Sequence, residues 1–385
     1  MSDENHNNMK KTNLILLFLL FFTGLHAEKY VGYYRRFYID ARQYQLRTEI
    51  PISKEKALKT NAYKVTFDEN DRIVDVRFLE QNFQRYDNSR FTGMTVSYAD
   101  SIEKRTFVDY KNKSVRNRGV YSYSLVLNDK KQPIKLVNFD AKGYITEDTD
   151  GVAIYIWTLD DKGRHVSETY LDKNYTSVWN KQGFYEKKYT WNEDKENYIV
   201  GHHFFDNKGK PIKTDSHFAS IIATFDKATE SLQSQRYFDV KNQPTIHKDG
   251  FSTVIFSYDT EGNETERHFL DRKEQPAENE EGIAKIKQQF DTLGNIVEQK
   301  FYGKNSALKA PKSTGIARVS YNYDARGKLI ETSFYDADGQ LAENHKREAV
   351  IRRTYDENGK LQSIRGYNAK NQWVSEQYSA PNRQP

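Results

Sequence analysis

The sequence predicts an all-β fold: an array of about ten antiparallel β-hairpin repeats, forming a β-solenoid or a continuous twisted sheet with a small N-terminal cap. Three observations support this prediction. A two-residue pattern recurs every 29 to 34 residues, glycine follows it at a fixed distance in half of the copies, and apolar and polar residues alternate beside it. Each unit is therefore expected to be a strand, a tight turn, a second strand and a looser connection.

The recurring pattern is an aromatic residue followed by Asp or Asn. Eight of the ten first positions are aromatic and nine of the ten second positions are Asp or Asn, so chance does not explain the series. The copies begin at Phe67, Tyr98, Leu127, Leu159, Trp191, Phe225, Tyr258, Phe290, Tyr323 and Tyr355.

Glycine stands three residues after the Asp in five copies. An Asp side chain at the start of a turn accepts backbone N–H groups, and glycine takes the left-handed conformation that closes the turn. These positions are structural turn residues, predicted at hairpin tips: Asp160 and Gly163, Asp259 and Gly262, Asp291 and Gly294, Asp324 and Gly327, and Asp356 and Gly359.

The residues before each turn alternate as in a strand with one buried face. In the ninth copy one face carries Ala317, Val319, Tyr321 and Tyr323 while Arg318, Ser320 and Asn322 lie on the other. A lone hairpin is only marginally stable in water, so neighbouring units are expected to bury their aromatic faces against one another. The 27 Tyr and 22 Phe of the 385-residue chain suit such half-buried strands.

The repeat divides the chain into four parts. Residues 1–27 are expected to be a signal peptide, residues 28–60 an N-terminal capping segment with a helix-like piece near 53–58, residues 61–378 the hairpin array, and residues 379–385 a disordered tail.

The N-terminus has the pattern of a secretory signal peptide. Lys10 and Lys11 precede an apolar run over 14–22, and small residues end at Ala27, where we expect cleavage. The run is too short to span a bilayer, which takes about 20 apolar residues. The mature chain is thus expected to be exported to the periplasm, the outer surface or the medium, without a transmembrane span.

Cysteine usage and charge restrict the function further. The chain contains no cysteine, which excludes disulfides, thiolate metal sites and a cysteine nucleophile, and exported proteins without disulfides are typical of bacteria. The net charge is +5 and no long block of one sign occurs. A clustered basic footprint is absent, so no nucleic-acid partner is expected.

Residues 323–329 and 355–361, with the sequences YDARGKL and YDENGKL, resemble the YD repeats of Rhs and teneurin-type proteins. The resemblance covers most of residues 60–378 through the turn motif alone. It implies a β-sheet that spirals into a shell or takes part in surface recognition. The period here is longer than in that family, and no C-terminal toxin cassette follows.

No motif predicts catalytic, cofactor-binding or metal-binding residues. Nucleophile-elbow, Walker, Rossmann and zinc-protease patterns are absent. The nine histidines show no ligand spacing and are expected at the surface or in turns, and turn geometry explains the acid-rich segments at 148–151, 336–339 and 356–359 without calcium.

Three functions are compatible with this pattern. The leading hypothesis is an exported, non-enzymatic repeat protein that binds protein, peptide or glycan at the cell envelope or outside the cell. A hydrolase with a site assembled across several repeats is the alternative, because active sites need not be local in sequence. The third is a structural envelope component that self-associates through its end units.

Overall fold

A computed structural model describes residues 28–40, 44–79, 92–109, 111–195, 197–357, 359 and 361–378. The predicted signal peptide (1–27) and the predicted disordered tail (379–385) lie outside the described residues.

The regular secondary structure of the described chain is β-strand except for one helix, α1 (Lys54–Ala57). The strands are β1 (Glu28–Ile39), β2 (Leu46–Pro51), β3 (Ala62–Asp68), β4 (Ile73–Leu79), β5 (Gly93–Ala99), β6 (Ile102–Val108), β7 (Ser122–Leu127), β8 (Pro133–Phe139), β9 (Ile154–Leu159), β10 (His165–Leu171), β11 (Glu186–Glu193), β12 (Asn197–Phe205), β13 (Ser220–Asp226), β14 (Leu232–Phe238), β15 (Thr253–Tyr258), β16 (Glu264–Leu270), β17 (Lys285–Phe290), β18 (Ile296–Tyr302), β19 (Arg318–Tyr323), β20 (Leu329–Tyr335), β21 (Val350–Tyr355), β22 (Leu361–Tyr367) and β23 (Trp373–Tyr378).

All 23 strands form one antiparallel sheet. From β3 to β23 each strand pairs with the next in sequence, as β9 does with β10 and β10 with β11. The first half of β1 pairs with β3 and its second half with β2. This architecture confirms the predicted all-β array of ten hairpins, the first formed by β3 and β4 and the last by β21 and β22.

From the second unit (β5–β6) to the ninth (β19–β20), each unit contains three kinds of turn. The tip turn joins the two strands of a hairpin, the return turn follows the second strand, and the inner turn precedes the next hairpin. In the fourth unit, the return turn is closed by a hydrogen bond from Asp172 N–H to the Thr176 carbonyl at 2.9 Å. The inner turn is closed by a hydrogen bond from Asn180 N–H to the Phe184 carbonyl at 3.0 Å. The expected looser connection is therefore two further tight turns.

Aromatic rings from strands and inner turns alternate in the main core. Seven rings form a continuous series in which ring centroids are 4.5 to 5.9 Å apart. The series runs through Tyr170, Phe184, Phe204, Phe218, Tyr237, Phe251 and Phe269, all buried. Inner turns thus cover one face of the sheet, and their rings join neighbouring units.

Candidate ligand cavity inside the coiled sheet

Residues 28–60, the N-terminal segment, contact hairpins far away in sequence. Arg35 Nη1 donates to the Leu293 carbonyl at 2.5 Å, and Arg35 Nη2 donates to Asn263 Oδ1 at 2.9 Å and to the Gly294 carbonyl at 3.1 Å. Tyr38 OH donates to Glu230 Oε2 at 2.6 Å. All of these acceptors belong to tip turns of later hairpins.

These contacts require the sheet to curl. Strands in a sheet lie about 4.8 Å apart, so in a flat sheet β17 would lie roughly 70 Å from β1. One arginine side chain on β1 nevertheless reaches the turn that follows β17. The sheet therefore coils around the N-terminal segment, and its face bearing the inner turns lies inside the coil.

A cavity of about 910 Å³ lies on the inside of the coil. One wall is the β1–β2 hairpin, through Phe37, Tyr38, Ile39 and Tyr44. The opposite walls are strand residues such as Trp157 and the inner turns of five units. Tyr44 joins the two sides, because its ring centroid lies 5.0 Å from that of Trp157. The cavity thus depends on both the array and the N-terminal segment.

The inner turns form a hydrogen-bonded series along the coil, which we call the inner-turn ladder. Six successive turns each donate a backbone N–H group to a carbonyl of the turn before, at distances of 2.8 to 3.2 Å. The donor and acceptor pairs are Thr149 and Arg118, Lys181 and Asp150, Asp215 and Gln182, Lys248 and Ser216, Glu280 and Asp249, and Lys312 and Glu281. The ladder fixes the positions of side chains at the cavity rim.

Glu168 is a buried carboxylate in the cavity wall, and four donors surround it. Oε2 accepts Trp157 Nε1 and Tyr189 OH, both at 2.8 Å, and Oε1 accepts Tyr170 OH at 2.8 Å and the Lys187 ammonium at 2.7 Å. Burial raises the pKa of Glu168, but the Lys187 charge and the hydrogen bonds outweigh it and hold this pKa at about 2. Glu168 is therefore ionised at neutral pH.

Asp148 is a second carboxylate of the same wall, at the start of an inner turn. Its Oδ2 accepts Tyr155 OH at 2.5 Å, while Oδ1 accepts the backbone N–H groups of Asp150 at 2.9 Å and Val152 at 3.2 Å. Burial raises the pKa of Asp148 above its usual range in spite of these donors.

One histidine near this wall is buried and a second is half-buried, which corrects the expectation of surface or turn histidines. His165 begins β10, is 1% exposed and stacks on Trp157 with ring centroids 4.6 Å apart. His202 packs edge-on against Tyr189 at 5.1 Å. Burial lowers the pKa of His165 to about 4 and that of His202 to about 3. Both side chains are therefore neutral at neutral pH, and their aromatic contacts explain their burial.

The sequence-predicted turn residues lie at the hairpin tips and not in the cavity wall. The five glycines have positive φ between 74° and 80°, and each Gly N–H bonds to the carbonyl of its Asp at 2.9 to 3.1 Å. These are Asp160 with Gly163, Asp259 with Gly262, Asp291 with Gly294, Asp324 with Gly327, and Asp356 with Gly359. Three of the five tips, at Gly262, Gly294 and Gly327, also contact the N-terminal segment.

Sequence reasoning missed Arg35, Glu168 and Lys187. Glu168 did carry a signal, since it stands in phase with Val166 and Tyr170 on a strand face expected to be buried. A charged residue in such a phase indicates a buried ion pair. Arg35 carried no comparable signal, because its acceptors in the hairpin tips are more than 220 positions away.

Two kinds of site are not found in the part of the chain that the structure describes. No group of three or more His, Cys, Asp or Glu side chains is placed to hold a metal ion. None of its helices has the length and apolarity needed to cross a membrane.

No family model matches the sequence, and no curated protein matches it. Among solved structures, a mutant Tc holotoxin pore of Photorhabdus luminescens matches with 9% sequence identity and a TM-score of 0.17. The match covers 88% of this chain but 23% of the toxin chain, so this protein spans about a quarter of its length. A TM-score this low establishes neither a shared fold nor a shared function.

Proposed function

We propose that this chain is an exported, non-enzymatic binding protein of the YD-repeat type whose ligand occupies the cavity inside the coil. The observation that carries the proposal is the cavity itself, about 910 Å³ in volume and lined by aromatic rings and turn side chains. Its volume is in the range of small-molecule and oligomer sites, and aromatic walls with a few polar groups are typical of them.

Export is supported by the sequence of the first 27 residues. Lys10 and Lys11, the apolar run over 14–22 and Ala27 match the three regions of a signal peptide, and the chain lacks cysteine. The ligand would then be met at the cell envelope or outside the cell. If Ala27 is the cleavage site, mass spectrometry of the exported protein finds Glu28 as the first residue.

The chemistry of the wall favours binding over catalysis. A carboxylate has about four acceptor positions, and four donors already occupy those of Glu168. No acceptor position remains for a substrate proton or for nucleophilic attack. His165 and His202 stay neutral until well below neutral pH, so neither exchanges protons at the pH where a general base usually works.

A hydrolase is the second candidate, and one observation favours it. Asp148 and Glu168 line the same cavity, and their pKa values are shifted in opposite directions. Two carboxyl groups in such different environments are the usual arrangement of an acid and a nucleophile in glycosidases. The saturation of Glu168 by its donors is the reason for placing this candidate second.

The proposal is tested by placing a bulky side chain at the cavity and comparing it with a matched substitution outside the cavity. Mature protein (28–385) is tested for binding to glycan and peptide arrays, with product release measured in the same samples. Ser216→Trp places a large ring at the cavity rim, whereas Ser313→Trp changes an inner turn that does not line the cavity. We expect binding without product release, lost in Ser216→Trp and kept in Ser313→Trp. Equal binding by both variants would contradict the cavity proposal, and released products would favour the hydrolase.

A further inference from the structure

We infer that the ligand of this cavity is an uncharged, hydroxyl-rich molecule, that is, a neutral glycan. This inference rests on the proposed function and names its ligand class. It follows from the charge balance of the wall, from the side chains left without partners at the rim, and from the pairing of the array strands that line the cavity.

The charges of the cavity lining balance. Four side chains are cationic and four are anionic, namely Arg118, Lys181, Lys187 and Lys248 against Asp148, Asp150, Glu168 and Asp215. Two pairs are in direct contact, Lys187 with Glu168 at 2.7 Å and Arg118 with Asp150 at 2.8 Å. An ionic ligand would have to separate such a pair, and breaking the buried one is costly.

The inner-turn ladder also alternates in sign at the rim. Lys181, Asp215 and Lys248 occupy the same position in three successive inner turns, and each donates its backbone N–H group to the turn before it. Salt screens exposed charges beyond about 8 Å at physiological ionic strength, and the neighbouring charges here have opposite signs. The rim therefore offers no patch of one sign to attract an ionic ligand.

Amide side chains at the rim are free to bind hydroxyl groups. Within the described residues, the side chains of Asn117 and Gln182 make no hydrogen bond. Asn180 uses only its oxygen, which accepts the N–H groups of Gln182 at 3.0 Å and Phe184 at 3.3 Å. A primary amide both donates and accepts, which matches the paired roles of a sugar hydroxyl.

Twelve of the 32 residues that line the cavity are Phe, Tyr or Trp. Seven of these rings are buried. The five half-buried ones, at Phe37, Tyr38, Tyr44, Tyr63 and Tyr155, can pack against the apolar C–H face of a sugar while the amides bind its hydroxyls. Both parts of this chemistry occur within the fourth unit, at Tyr155 on β9 and at Gln182 in the inner turn. A neutral glycan uses both, whereas a simple ion would use neither.

An extended peptide is less well matched. Peptides that add to a sheet need an unpaired strand edge. The strands that line the cavity between β5 and β13 pair on both sides, as β9 does with β8 and β10 and as β11 does with β10 and β12. On the array side of the cavity, only side chains and turns are therefore left to contact a ligand.

The test compares ligand classes on the mature protein. Neutral oligosaccharides with cellulose, chitin, starch and xylan backbones, an acidic oligogalacturonate and a random peptide library are titrated at low and high salt. We expect a neutral oligosaccharide to bind with an affinity that changes less than about twofold with salt, because screening acts only on charges.

Variants then locate the contacts. Asn117→Ala combined with Gln182→Ala is expected to weaken binding by roughly thirtyfold, since each amide loses hydrogen bonds of about 1 kcal/mol. Gln243→Ala combined with Gln275→Ala changes two exposed glutamines in return turns outside the cavity and should leave affinity unchanged. Salt-sensitive binding of the oligogalacturonate alone, or binding of peptides alone, would overturn the neutral-glycan inference. Binding of a neutral glycan that Ser216→Trp leaves intact would instead overturn the cavity as its site.

Discussion

Arg35 donates a hydrogen bond to the main-chain carbonyl of Leu293 at 2.5 Å, although the two residues are 258 positions apart. The same guanidinium reaches Thr60 Oγ1 at 2.7 Å and Asn263 Oδ1 at 2.9 Å. One side chain thus links the N-terminal segment to the tips of two hairpins. This link holds the sheet in a coil around the N-terminal segment, whose β1–β2 hairpin forms one wall of the cavity.

Arg35→Lys should destabilise the protein. Lysine has no planar fork and cannot reach acceptors in several directions, so the carbonyl and amide partners lose donors in a half-buried place. We expect the free energy of unfolding to fall by about 1–3 kcal/mol in urea titrations. The control Arg272→Lys changes an exposed residue and should stay within about 0.5 kcal/mol. Equal stability of both variants would mean that Arg35 does not close the coil.

Alanine substitutions at Gly327 and Gly339 distinguish the strain of the turn from the contact between a hairpin tip and the N-terminal segment. Their φ values are 77° and 82°, so alanine at either position is strained by about 1 kcal/mol. A Cβ at Gly327 would also collide with the Lys59 carbonyl oxygen, whereas nothing lies within 4 Å of one at Gly339. We expect Gly327→Ala to cost a further 1–3 kcal/mol, roughly, in chemical denaturation. An equal loss of unfolding free energy in Gly327→Ala and Gly339→Ala would mean that Lys59 does not contact the Gly327 tip turn.

Lys187→Met tests the buried ion pair. The change leaves the Glu168 carboxylate without its counter-ion, and removing one partner of a buried pair costs about 3–5 kcal/mol. Adding Glu168→Gln should recover at least about 1 kcal/mol, because the uncompensated charge is then gone. Lys188→Met, on a half-exposed neighbour, is expected to cost less than about 1 kcal/mol. Additive effects of the Lys187 and Glu168 changes would show that the two groups do not interact.

Acid should weaken the fold in two steps. His165 and His202 have folded pKa values of about 4 and about 3, below their ordinary value, so they stabilise the folded state above pH 6.5 and this contribution is lost as pH falls through 4. Glu168, at about 2, loses its contribution below about pH 4.5. Urea titrations from pH 7 to pH 4 should show falling stability, and His165→Phe with His202→Phe should flatten that slope. A slope unchanged in the double variant would assign it to other groups.

The array was predictable from the sequence because its rules are local. Asp324 and Gly327 are three residues apart, and both the turn hydrogen bonds and the positive φ follow from that spacing. The inner turns were only partly predictable: Gly151 and Gly183 marked them, but nothing near them indicated the ladder that joins one unit to the next. The cavity was not predictable at all, because it depends on the curvature of the sheet and on Arg35, whose partners follow it by more than 220 residues.

The coil's closure by the N-terminal segment is tested most directly by a distance between spin labels. The chain has no cysteine, so Leu58→Cys and Arg326→Cys accept the two labels alone. Each residue is next to one of the touching pair Lys59 and Gly327, which places the two Cα atoms within about 14 Å of each other.

We expect strong dipolar broadening of the electron paramagnetic resonance spectrum for this pair. A control pair at Leu58 and Asp338 places the second label in the return turn, roughly 23 Å further along β20, and should show little broadening. If both pairs give the spectra of isolated labels in a folded protein, the N-terminal segment does not meet the ninth hairpin, and the coil is not closed around it.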